Sequence, residues 1–115
     1  MARLLVLQHI ERETPGLFME IASNRGIPST VFRLDLGHEL PLLLQDDILL
    51  VMGGPMGVKD INNKRYSWLE DEIKLLKFAL KHQIRIIGVC LGAQLLAYSM
   101  GCIIEPIRVG LKRKE

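Results

Sequence analysis

The chain has 115 residues, 49% of them apolar, and its 15 basic and 13 acidic side chains leave a formal charge of +2. One domain can fold at that length, and so mild a charge argues against a nucleic-acid partner. The two cysteines match no metal spacing or disulfide framework, and no apolar run approaches the roughly 18 residues of a membrane span. No metal, cofactor or membrane is therefore expected, and with no signal-peptide core in "MARLLVLQH" a reducing, cytoplasmic setting is.

"RLLVLQ" (3–8) reads as a short buried strand. In the loop that follows, Thr14 is placed to cap a helix and Pro15 suits its first turn. "GLFMEIASNRG" then carries Leu17, Phe18, Ile21 and Ala22 at helical spacing, and Gly26 closes it. "STVFRL" alternates like a strand, and "DLGHELPLLLQD" reads as an irregular link. "DILLVMGG" (47–54) is apolar on both faces, as a central parallel strand should be. Beyond the polar, glycine-rich stretch "GGPMGVKDINNKR", the segment "YSWLEDEIKLLKFALKH" is the clearest helix. Ser67 and Glu70 form a capping box there, and Leu69, Ile73, Leu76 and Leu80 trace one face. "IRIIGV" reads as a second buried strand, "GAQLLAYSMG" as a helix ended by Gly101, and "CIIEP" as a last short strand. The order β-α-β-β-α-β-α-β predicts an α/β fold with an open, doubly wound, mostly parallel sheet, a single domain over residues 1–115.

In such a sheet, ligands bind beyond the carboxyl ends of the strands, where both glycine clusters fall. The first is "GGPMG" (53–57), and the second is the pattern Gly88-x-Cys90-x-Gly92 within "GVCLGAQ". A cysteine between glycines at a strand-to-helix turn has the pattern of a nucleophile elbow, and the helix N-terminus behind it favours a thiolate. Packing explains the glycines equally well, since small residues let a helix approach a sheet. Acyl transfer also needs N–H donors for an oxyanion: Leu91 follows the nucleophile, and a second donor must come from a neighbouring loop. "GGPMG" offers one, stiffened by Pro55.

"GVCLGAQ" together with "GGPMG" resembles the class I (triad-type) glutamine amidotransferases, in particular domains similar to the amidotransferase part of GMP synthase. The likeness runs from "RLLVLQH" to "IIEP" and implies a flavodoxin-like fold and glutamine as substrate. It also implies Cys90 as the nucleophile that forms a γ-glutamyl thioester and releases ammonia. The N–H groups of Gly54 and Leu91 would form the oxyanion hole, Gln94 with Gly53 and Pro55 would line the substrate site, and Gly88 and Gly92 would hold the elbow.

The family completes its site with a His-x-Glu pair far downstream of the elbow, and no histidine follows His82 here. The expectation is an N-terminal half, truncated before that pair, whose activity is uncertain unless a second chain supplies the rest. His9-Ile10-Glu11 has the right spacing but precedes the elbow and reads as a polar loop. His38, in a loop, and His82, at a helix end, read as structural or solvated, and Cys102 as a buried small hydrophobe. Further expected partners are an ammonia-accepting synthetase and, through uncovered apolar surface, a second copy of the chain. Two other readings stay open. One is a cysteine hydrolase of the related protease/chaperone branch, disfavoured because Leu91 stands where that branch has histidine. The other is a glutamine- or partner-binding module without turnover.

Overall fold

The computed structural model describes residues 2–101, so the predicted strand "CIIEP" and Cys102 lie outside the described residues. Four strands, β1 (Leu4–Gln8), β2 (Ser29–Arg33), β3 (Ile48–Val51) and β4 (Arg85–Gly88), form one sheet in the order β2-β1-β3-β4. Every pairing is parallel, with Val6 opposite both Val31 and Leu50, and Leu50 opposite Ile87. The helices are α1 (Leu17–Asn24), α2 (Trp68–Lys81) and α3 (Leu91–Ser99). This is the expected α/β architecture, an open parallel sheet of flavodoxin-like type. Among the described residues no helix is long and apolar enough to cross a membrane.

Strict alternation along the central strands divides the core in two. Leu5, Leu7, Leu49 and Val51 pack with Leu69, Ile73 and Leu76 of α2 and with Leu91 and Leu95 of α3. Burying each such leucine is worth about 1.5–3 kcal/mol. Leu4, Val6, Leu50 and Met52 face the other way, onto a smaller cluster to which α1 contributes only Ala22.

Several sequence expectations are corrected. The apolar stripe of α1 is mostly uncovered, with Leu17 65%, Phe18 37% and Ile21 44% exposed. Beside α1 the sheet face is left as an apolar groove lined by Phe18, Ile21, Ala22, Ile48 and Ile87. The strand β4 is half-exposed rather than buried, because it is the edge of the described sheet. Gly16, not Thr14, caps α1, at φ 41°, and Pro15 precedes the helix. Ser67 does stand at the N-cap of α2, but its backbone is helical (φ −62°, ψ −20°) and its side chain makes no capping bond, so no capping box forms. A short helical turn at Lys64–Tyr66 runs straight into α2 and leaves Ser67 no extended conformation to cap from.

The amino end of the sheet is closed by Arg3 and Asp47. The Arg3 guanidinium donates twice to the carboxylate, at 2.8 and 2.7 Å, and the Leu44 N–H adds a third bond at 2.6 Å. Chiefly through the Arg3 hydrogen bonds, the Asp47 carboxyl is held below its ordinary value.

Candidate active site

At the carboxyl end, Val51 and Gly88 leave the sheet side by side, which brings the two glycine loops together. The Val89 N–H still donates to the Val51 carbonyl at 2.9 Å, and the chain then turns sharply at Cys90 into α3. Cys90 has φ 52° and ψ −110°, a conformation L-residues rarely adopt, and its side chain is exposed. Strain of this kind costs about 1–3 kcal/mol and persists only where surroundings enforce it.

The enforcement comes from the flanking glycines. A Cβ on Gly92 would run into the Val51 carbonyl, and one on Gly88 would come within 2.7 Å of the Gly92 backbone. Their absence lets the first turn of α3 sit directly on β3 and β4. The glycines are thus required by packing, and that packing is what holds the cysteine in its turn. The Gly92 N–H donates to the Val89 carbonyl at 2.8 Å and the Gln94 N–H to the Cys90 carbonyl at 3.1 Å. Leu91 opens the helix with its N–H lacking an intrahelical partner, and the helix dipole places partial positive charge beside the sulfur. Gln94 is exposed one turn farther on.

"GGPMG" lies against this turn. A Cβ on Gly53 would stand 3.3 Å from the Cys90 Cβ, and one on Gly54 would stand 3.5 Å from Leu91 Cδ2 and 3.3 Å from the His9 Cβ. Met56 anchors the loop in the larger core. Asp60 ties down its far end by accepting the Gly57 N–H at 2.8 Å. The Gly54 N–H makes no hydrogen bond among the described residues. Pro55 is exposed at the tip. The structure therefore brings Cys90, Leu91, Gly53 and Gly54 together and leaves Gln94 and Pro55 exposed.

The histidines fall elsewhere. His9 is buried, and its Nε2 meets both carboxylate oxygens of Glu72 on α2, at 2.7 and 3.0 Å. Its partner is thus Glu72, sixty-three residues on, and the His9-x-Glu11 spacing is not used. Nδ1 of His9 is buried without a partner among the described residues. His38 accepts the Arg33 N–H through Nδ1 at 2.9 Å. His82 ends α2, its ring 4.2 Å from that of Phe78. Among the described residues no three His, Cys, Asp or Glu side chains are grouped to hold a metal ion.

Two features escaped the sequence reading. Glu72 left a signal, a charge in the buried stripe between Leu69 and Ile73. Glu13 left none: its carboxylate reaches to 3.2 Å of the Cβ that Gly53 lacks, the same point that Cys90 approaches.

Comparison with known proteins supplies a family and a fold. The family model described as glutamine amidotransferase class-I matches residues 17–115. The glutamine amidotransferase-like protein YfeJ of Salmonella typhimurium is 28% identical over 104 residues, which is 89% of this chain and 44% of that protein. A solved glutamine amidotransferase from Thermotoga maritima superposes with a TM-score of 0.79 at 29% identity, over 87% of this chain and 43% of its own. Another, from Methylobacillus flagellatus, gives 0.75 at 34% identity, over 86% and 39%. The chain spans less than half the length of each of these relatives.

Proposed function

The chain belongs to the class I glutamine amidotransferase family, and from that premise we propose that its elbow is the nucleophilic half of a glutamine-hydrolysing site. The observation that carries this reading is the strained, exposed Cys90 at the N-terminus of α3, flush against the Gly53–Gly54 backbone. The Cys90 sulfur bonds to the carboxamide carbon of glutamine. The C–N bond breaks, and the nitrogen leaves as ammonia carrying the thiol's proton. Water then cleaves the γ-glutamyl thioester, giving glutamate and the free thiol. The N–H groups of Leu91 and Gly54 are the donors for the oxyanion of both steps. Gln94, with Gly53 and Pro55, contacts the bound substrate, and no cofactor takes part.

Proton transfer in this reading needs a histidine, and among the described residues none is brought to Cys90. His9 is buried and engaged by Glu72. The reading therefore assigns the His-x-Glu pair to polypeptide outside the described residues, in cis or on a second chain, and the use of ammonia to a synthetase partner. The test is exposure to the chloroketone analogue of glutamine, followed by peptide mass analysis. The expected result is an adduct on Cys90, with ammonia release from glutamine rising only when a polypeptide carrying the downstream half is added. No adduct at Cys90 overturns the assignment.

A further inference from the structure

We propose that Glu13 is the specificity residue of this site, holding the α-ammonium of a free amino-acid substrate; the proposal rests on the glutamine reading above. The loop that carries Glu13 is built rather than loose. Gln8 is buried at the end of β1, and its side-chain amide donates to the Ile10 and Glu11 carbonyls at 2.9 and 3.1 Å. The Glu13 N–H closes the turn by donating to the Ile10 carbonyl at 3.2 Å. Buried Pro15 and the positive φ of Gly16 then fix the entry into α1.

The turn delivers a carboxylate oxygen to 3.2 Å of the point where Gly53 lacks a Cβ, with the Cys90 Cβ 3.3 Å from that point. Gly53 is thus the floor on which the nucleophile and an anionic group meet. Glu13 is exposed, and among the described residues its carboxylate has neither a hydrogen bond nor an ion pair. Alone, a carboxylate there opposes the thiolate that the elbow favours, because like charges repel. A cation held against Glu13 relieves that repulsion.

A free amino acid supplies that cation. In glutamine the carboxamide carbon and the α-nitrogen are four bonds apart, roughly 5 Å when extended. A substrate with its amide carbon on the Cys90 sulfur can therefore set its ammonium on Glu13, which lies beside the same glycine. Peptide-bound or N-acylated glutamine carries no ammonium and forfeits this contact, so the site should select the free amino acid.

The test reads charge preference at Cys90 by peptide mass analysis, which separates it from Cys102. Cationic and anionic methanethiosulfonates are compared on the wild type, Glu13→Gln and the control Glu11→Gln. The ratio of the two rates cancels any change in thiolate fraction. Glu13→Gln should cut the cation-over-anion preference roughly tenfold at low salt, an effect shrinking as salt is raised, whereas Glu11→Gln should leave it within twofold. The chloroketone of glutamine and its N-acetyl derivative form a second pair, whose rate difference Glu13→Gln should erase. An unchanged charge preference in Glu13→Gln overturns the role of Glu13 and leaves the glutamine reading intact. Absence of chloroketone adducts on wild-type Cys90 overturns the glutamine reading instead, and the methanethiosulfonate ratio still decides whether Glu13 draws cations to the sulfur.

Discussion

Gln83 and Cys90 are the two non-glycine residues with positive φ among those described, at 58° and 52°, and they stand at opposite ends of the strand β4. At the amino end, Gln83 finishes a helix. Its N–H donates to the Leu80 carbonyl and the Ile84 N–H to the Ala79 carbonyl, so the last turn of α2 is closed before β4 begins. Polar groups around that end are paired: Asp47 accepts three hydrogen bonds, and the Gln45 amide donates to the His82 carbonyl at 3.1 Å. At the carboxyl end a second positive φ, with ψ at −110°, sets an exposed sulfhydryl beside an exposed carboxylate, and among the described residues a buried imidazole nitrogen there has no partner. Strain at one end closes a helix, and at the other it sets a thiol on the surface.

Cys90→Gly separates the two uses most completely. Glycine adopts this conformation without a Cβ penalty, so stability should rise by about 1 kcal/mol while every reaction at the elbow disappears. Urea unfolding beside chloroketone labelling checks both halves. A variant less stable than the wild type would show that the turn is not strained.

Glu72→Ala should have the largest effect on stability alone, a loss of about 1–3 kcal/mol in urea unfolding, because it leaves the buried His9 ring without its partner. Replacing His9 and Glu72 together by leucines should recover most of that loss. If Glu72→Ala costs less than about 1 kcal/mol, the pair contributes little to holding β1 and α2 beneath the Gly54 loop.

These two residues also mark what could be read from the sequence. Both glycine loops, the elbow at Cys90 and the parallel character of the sheet were legible, because alternation, strand-to-helix turns and glycine spacing are local patterns. The His9–Glu72 pair and the approach of Glu13 to Gly53 were not, because each joins segments dozens of residues apart through a fold no local pattern specifies. The predicted burial of β4 failed for a related reason, and the apolar spacing of Phe18 and Ile21 did not translate into cover. Periodicity shows which face of an element is apolar, and only the assembled sheet shows what covers it.

At the amino end the expected effects are smaller and depend on pH. The Asp47 carboxyl is held below its ordinary value of 3.8, mainly by the Arg3 hydrogen bonds. A depressed folded-state value stabilises the protein at pH above that ordinary value, and the contribution is lost as pH falls through the depressed one. The stability difference between wild type and Asp47→Asn should therefore be full at about pH 6 and shrink steadily towards about pH 3. Urea midpoints across that range measure it, and a difference independent of pH would rule out the linkage. Chloroketone labelling of Cys90 should be unchanged, since the ion pair lies at the far end of the sheet.

Gln83→Gly should give the smallest change and the most direct contrast with Cys90→Gly. The residue after a helix C-cap commonly adopts the left-handed conformation, where glycine carries no Cβ penalty and glutamine does. Glycine also loses more entropy on folding, so the net gain should be only about 0.5–1 kcal/mol, or a few degrees in Tm. Gln83→Ala is the control, since alanine keeps the Cβ and should gain nothing. Both variants should label at Cys90 as the wild type does, because the α2–β4 turn touches no part of the elbow. If glycine proves no better than alanine, the positive φ at Gln83 carries no strain worth relieving. The parallel between the two ends of β4 would then reduce to geometry, with Cys90 alone storing energy in its turn.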